Sequence, residues 1–395
     1  MANPPANMQT YGVPIYAADW VPEEIVRSKI DKDQKKSEDD GESSSSPSSS
    51  RRYIVLPGGG GGGNSGIANV ILICGVDLEA NSLSEEPLVR FVVGTDLPYR
   101  MAVHSREGGL ICAFSKSCKL YDWETIMRPR EDNEVVVEAE GVITELRDVG
   151  QQLALAFNQE GSVLAAGGED GFLRVFKWPS MESLLNESQA HASVKSLTFS
   201  ESGKFLASLG GPLCRVWEVN AAAAAAVATL SRENDETFAS CRFSVDSAGN
   251  EVLYIAANTG RGGSIITWDT TTWRRRRSKL IRNNSISAFN VSADGKLLGI
   301  GTLEGDVLII DSTRMQPIQV VRKAHLGLVT ALTFSPDSRG LVSVSFDSRV
   351  RLTVIEPKGE KGGMRLWVVV LLFVLLYIVS YYFMEAKGMI RQKSP

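Results

Sequence analysis

Apolar and polar positions in this chain repeat in blocks. Leu153 to Trp178, Val194 to Val219, Ile286 to Asp311 and Val329 to Val354 each open on an alternating run, such as LALAF or VTALTF. Alternation with a period of two is the pattern of a strand with one buried face. In each block a turn rich in Ser, Asp, Glu and Gly follows, then a second apolar run, a tight turn and a third run. Weaker copies run from Met101 to Trp123 and from Ala239 to Asp269.

The copies lie about 40 to 50 residues apart, the spacing of a WD-repeat propeller blade. Phe199-Ser200 and Phe334-Ser335 mark the same turn in two copies, and Trp217-Glu218 and Trp268-Asp269 stand where the Trp-Asp dipeptide belongs. Six blades fit between about Tyr99 and Glu356, and Tyr11 to Trp20 with Tyr53 to Leu78 supply a seventh. Length alone would suggest two or three domains. The repeat overrides it, and the predicted fold class is all-β: one ring-closed, seven-bladed propeller over residues 1–356.

Three biased stretches interrupt the repeat. Residues 31–52, acidic and then serine-rich, are too polar to fold and are expected to be a disordered insertion in the first blade. Ala221 to Ala226 is expected to be a connector between blades. Arg274 to Arg277 with Lys279 forms a basic cluster, read as a solvated face or as a site attracting anionic headgroups or an acidic partner. The formal net charge of −4 gives no support for nucleic-acid binding. Cys74, Cys112, Cys118, Cys214 and Cys241 are odd in number and scattered, so they read as buried reduced thiols without metal-ligand spacing.

Leu366 to Met384 carries no charge over nineteen residues. As a helix it would span about 28 Å, close to the roughly 30 Å hydrocarbon core. A single transmembrane helix over 366–384 is predicted, after a juxtamembrane linker at 357–365 and before a short lumenal tail at 385–395. Without a signal-peptide pattern at its start, the large N-terminal part is expected in the cytosol. The sequons at Asn186, Asn283 and Asn290 are then unused.

Catalytic constellations are missing from the pattern. His191 and His325 each follow Ala at a block opening, where WD repeats use His in a structural hydrogen-bond network; Asp170 and Asp347 occupy turns that commonly join it. No Gly-x-Ser-x-Gly elbow or kinase signature is present.

Gly58 to Gly63 form an unbroken run of six glycines, followed by Asn64-Ser65-Gly66-Ile67-Ala68-Asn69, between the strand-like segments Tyr53–Leu56 and Val70–Ile73. A dinucleotide fingerprint is satisfied only trivially, because a strand follows where a phosphate site needs a helix N-terminus. Oligoglycine carries the largest ordering entropy of any backbone, so a domain that keeps it uses its dihedral freedom. Ile67 is an apolar side chain on a polar loop, the composition of a tip presented to another molecule.

A glycine run followed by Asn-Ser-Gly-Ile-Ala-Asn, in the first blade of a seven-bladed WD propeller with a C-terminal span, resembles the Sec-twelve family. Its members are endoplasmic-reticulum nucleotide-exchange factors for the Sar small GTPase that starts COPII coat assembly. Tyr11-Gly12-Val13-Pro14-Ile15-Tyr16 fits as well, so the resemblance covers essentially the whole chain. It implies an exchange factor without bond chemistry of its own, whose loop residues Gly60, Gly61, Gly62, Gly63, Asn64, Ser65, Gly66, Ile67 and Asn69 contact the GTPase. It implies a single-pass endoplasmic-reticulum protein with its propeller in the cytosol. It also implies a potassium ion held by backbone carbonyls of Gly60, Gly62, Asn64 and Ser65. Ala68 departs from the Pro expected there. The competing reading is a non-catalytic scaffold that helps membrane cargo such as transporters leave the endoplasmic reticulum.

Overall fold

A computed structural model describes residues 5–26, 51–63, 65–106, 108–128, 141–220, 223–233, 235–355, 373–380 and 382–383. The chain divides into two compact units, Met1–Ile355 and Glu356–Pro395.

The first unit is seven antiparallel sheets, the blades of the predicted propeller. Blades 2 to 6 each use four consecutive strands, from Arg100–Val103 in blade 2 to Gln316–Val321 in blade 6. Blade 1 runs through Asp19–Trp20, Arg51–Gly58, Asn69–Asp77 and Val89–Gly94. Blade 7 takes Val329–Phe334, Gly340–Ser345 and Arg349–Val354, and is completed by Met8–Thr10 from the other end of the chain. First strands of successive blades meet one another around the axis.

Seven apolar layers lie between neighbouring blades and close the ring. Period-two alternation feeds two of them from one strand. Ile54 and Leu56 enter the layer shared with blade 7, while Tyr53 and Val55 enter the layer shared with blade 2. A sheet buried on both faces therefore keeps apolar residues at consecutive positions.

The histidines serve the blades. In blade 7, His325 is fully buried between the Ser343 hydroxyl, 2.8 Å from Nε2, and Asp347, 3.4 Å from Nδ1. In blade 4 the Trp217 indole donates to the Ser208 hydroxyl at 2.8 Å, and Ser208 meets His191 Nε2 at 2.9 Å. The short Gly211-Pro212 turn offers no carboxylate, so His191 Nδ1 has no partner. Asp170 does not join a histidine; it pairs with Arg174 at 2.7 Å. His104 is buried against Phe157, accepts the Arg106 N–H at Nδ1 and meets the Gly161 carbonyl through Nε2.

Several boundaries differ from the sequence reading. Arg51 and Arg52, placed in the 31–52 insertion, begin a strand and pair with Asp77 and Val76; residues 31–50 lie outside the described residues. Of the alanine run at 221–226, Ala224 to Ala226 are no connector, and residues 221–222 lie outside the described residues. Ala224–Ser231 is the outer strand of blade 4, because alanine fits a half-exposed edge as well as a loop. Arg275–Arg282 is the outer strand of blade 5. Arg275 pairs with Glu236 at 2.6 Å and Arg276 with Asp269 at 3.1 Å, so two of the five cations in the basic cluster are paired within their own blade. All five cysteines are buried and free.

Of the predicted span at 366–384, residues 373–380 and 382–383 are described, and they are helical. Among the described residues no helix is long and apolar enough to cross a membrane. The linker at 357–365 and the tail at 385–395 lie outside them.

Candidate functional site

Strands Arg51–Gly58 and Asn69–Asp77 pair without a slip from Arg51↔Asp77 to Gly58↔Val70. Beyond that pair the chain leaves the sheet as a loop over the edge of blade 1. Its base is fixed from the side by the segment that links the last blade to the first. The Gly59 N–H donates to the Pro14 carbonyl at 3.0 Å, the Tyr16 N–H to the Pro57 carbonyl at 3.1 Å, and Ile15 bridges to Gly58. The same segment is tied to blade 7, where Ile15 N–H reaches the Ser345 carbonyl at 3.2 Å and Thr330 Oγ1 donates to the Ile15 carbonyl at 2.7 Å. Toward the other end of the same strands, beside Gly75, Tyr11 donates its hydroxyl to the Ser84 carbonyl, and burial pushes the Cys74 thiol up to about 12.

Glycine is required where the loop folds against itself. Gly59 has φ of +149°, and a Cβ there would lie 2.6 Å from the Asn69 Cα. A Cβ on Gly60 would lie 2.8 Å from the Ile67 Cβ and strike the Ser65 hydroxyl. Only a residue without a side chain permits that approach.

Asn69 closes the loop. Its Oδ1 accepts the Gly61 N–H at 2.9 Å, and its Nδ2 donates to the Thr95 carbonyl at 2.9 Å, with longer contacts at 3.4 Å to the carbonyls of Gly61 and Gly94. It is 3% exposed. The sequence places Asn69 in the partner-facing loop, either holding the turn or pairing with the partner's backbone; in the structure its amide holds the turn, against Gly61 and the Thr95 carbonyl. Ile67 is 37% exposed, with its N–H directed to the Ser65 hydroxyl at 3.3 Å. Gly62, Gly63, Ser65 and Gly66 are exposed beside it, and Asn64 lies outside the described residues. Thr95 and Pro14, which hold the loop through backbone carbonyls, carry no side-chain signal that a sequence could show.

What this arrangement offers is a shaped backbone and one apolar tip. Among the described residues no cluster of His, Cys, Asp or Glu is grouped to hold a metal. The oxygens near the turn are backbone carbonyls and the Ser65 hydroxyl, hard neutral ligands that suit an alkali cation rather than a transition metal.

Residues 149–177, 182–218 and 315–353 match the WD domain, G-beta repeat. The chain is 77% identical over 388 residues to SEC12-like protein 2 of Arabidopsis thaliana, which spans 98% of both chains. It is 30% identical over 316 residues to SEC12-like protein 1 of the same plant, covering 77% of this chain and 76% of that protein. Guanine nucleotide-exchange factor SEC12 of Mus musculus is 27% identical over 268 residues, 62% of this chain and 64% of its own length.

Proposed function

Because this chain belongs to the SEC12-like family of WD-repeat proteins, we propose that it is a guanine-nucleotide exchange factor for a Sar-type small GTPase, acting at the endoplasmic reticulum to start COPII budding. The observation that carries the reading is the glycine loop, held by Asn69 and Pro14 so that Ile67 stands exposed at its end.

The activity is coupled binding rather than bond chemistry. A small GTPase holds its nucleotide through phosphate and magnesium contacts completed by its switch segments. A protein that binds the nucleotide-free form more tightly weakens nucleotide binding by the same coupling energy. Ile67 is the apolar anchor placed among the switch residues, and the glycines let the two backbones approach. Carbonyls of Gly60, Gly62, Asn64 and Ser65 would hold a potassium ion, which supplies order to the turn. The uncharged segment at 366–384 anchors the chain in the membrane, with the propeller in the cytosol and the tail in the lumen.

The test is nucleotide release from a Sar-type GTPase by the full chain. Ile67→Ala should lower stimulated release about 10-fold or more, since burying such a side chain contributes roughly 1.5–3 kcal/mol and each 1.4 kcal/mol is a decade. Lithium in place of potassium should slow the wild type. Equal release by wild type and Ile67→Ala, both folded, would favour the scaffold reading.

A further inference from the structure

Strands within a blade are antiparallel, so turns between second and third strands end on the same face as the connectors to the next blade. The glycine loop is such a turn, and it is not the only apolar one. Leu303 at the corresponding turn of blade 6, Leu326 in the connector from blade 6 to blade 7, and Phe346 at the turn of blade 7 are 51%, 75% and 44% exposed. The other exposed large apolar side chains on the described ring lie on or beside outer strands. The corresponding turns of blades 3, 4 and 5 carry Glu169-Asp170, Gly211-Pro212 and Gly260-Arg261. Blade 2 carries Ser115-Lys116 there, so among the described residues exposed apolar tips are confined to three consecutive blades, 6, 7 and 1.

These three residues are held in place. The His325 N–H donates to the Gly305 carbonyl at 3.1 Å, its ring meets Asp347, and Asp347 Oδ2 accepts the Leu326 N–H at 2.8 Å. One buried histidine thus ties together the turns carrying Leu303 and Phe346 and the connector carrying Leu326. Phe346 packs on Tyr16 with ring centroids 4.8 Å apart, and Tyr16 bonds to Pro57 at the base of the glycine loop. The patch is mechanically continuous with that loop.

A specific complex buries roughly 800 Å² on each partner. A single isoleucine on a narrow loop supplies a small part of that, and a partner seated on Ile67 must cover ground beside it. Exposed apolar side chains grouped on one face mark where such a partner lies. We propose that Leu303, Leu326 and Phe346 form a docking platform for the same GTPase, which sits across blades 1, 7 and 6 and not toward blades 3 to 5. This rests on the exchange-factor reading. It divides the labour: the platform holds the GTPase, and the loop releases its nucleotide.

The experiment measures nucleotide release against concentration of the full chain, for wild type, Leu326→Ser, Phe346→Ser, Ile67→Ala, and Leu280→Ser on the outer strand of blade 5 as control. The platform variants should raise the half-saturating concentration about tenfold and leave the maximal rate within about twofold, the effect of losing one large apolar contact in docking. Ile67→Ala should lower the maximal rate, and Leu280→Ser should match wild type. Phe346 leans on Tyr16, so Leu326→Ser, at the most exposed position, decides the matter if Phe346→Ser melts early. Wild-type half-saturation in Leu326→Ser and Phe346→Ser, beside an impaired Ile67→Ala, would overturn the platform while the exchange reading stands. Release by wild type no faster than the spontaneous rate would overturn that reading, and the assignment of this surface with it.

Discussion

Replacing Asn69 with Ala removes the oxygen that holds the Gly61 N–H and the nitrogen that reaches the Thr95 carbonyl. Both partners would then look to water, at a cost of about 1–3 kcal/mol if they stay buried. Released at that point, the loop gains conformations, and Ile67 loses its fixed place. Asn69→Ala should therefore slow nucleotide release as Ile67→Ala does, for a different reason. Hydrogen exchange separates the two: the Gly61 amide should lose protection in Asn69→Ala and keep it in Ile67→Ala. Unchanged Gly61 protection in Asn69→Ala would show that the clasp does not order the loop.

Met8–Thr10 is three residues long and covers the edge of Arg349–Val354. Without residues 1–10, that strand becomes an open edge, which is a template for pairing with another chain. Deletion should lower the melting temperature and produce concentration-dependent association by light scattering; a monodisperse variant with wild-type melting would show that blade 7 needs no fourth strand. So short a strand has no periodicity to read, which is why the sequence indicated closure without showing how it is made. First, second and third strands were legible because they feed two apolar layers and repeat at a fixed spacing. Outer strands were not. Ala224–Ser231 and Arg275–Arg282 each bury one partial face, and their alanines and arginines look like a connector and a charge cluster. The loop itself was legible because six glycines and an isoleucine fit no strand. Its supports were hidden, since a carbonyl such as that of Thr95 belongs to every residue type.

The propeller as a whole should show a pH dependence with opposing parts. Burial, then the nearby Arg215, lowers His191 to about 4 from an ordinary 6.5, so the fold prefers it neutral. That contribution is complete above pH 6.5 and is lost as pH falls toward 4. Burial raises Asp19 to about 6 against the pull of the Trp20 N–H and Arg242, and the cost of its charge is relieved over nearly the same interval. The two offset each other, and wild-type stability should stay nearly flat there. Below the ordinary carboxylate value of 3.8 a loss begins. Burial of Asp347 is outweighed by bonds from His325 and the Leu326 and Arg349 N–H groups, and it sits at about 2. His191→Gln should expose the hidden part: denaturant unfolding at successive pH values should show the variant gaining on wild type from about pH 6.5 down to 4. A constant difference across that interval would mean that His191 titrates as an exposed histidine does.

Closure of the ring also sets a clock. Met8–Thr10 leaves the ribosome about 340 residues before the strand it must pair with, a wait on the order of 20–70 s at ordinary synthesis rates. Through that wait Ile15 has no Ser345 or Thr330 to lean on, so the segment that braces the base of the glycine loop is itself untied. That anchorage arrives only with the last blade. A truncated product, or a nascent chain still being made, would carry the whole glycine sequence without the posture that gives it effect. A chain cut before its last blade should therefore fail to speed nucleotide release although it carries the whole loop; release at the wild-type rate by such a chain would show that the tie to blade 7 does not matter.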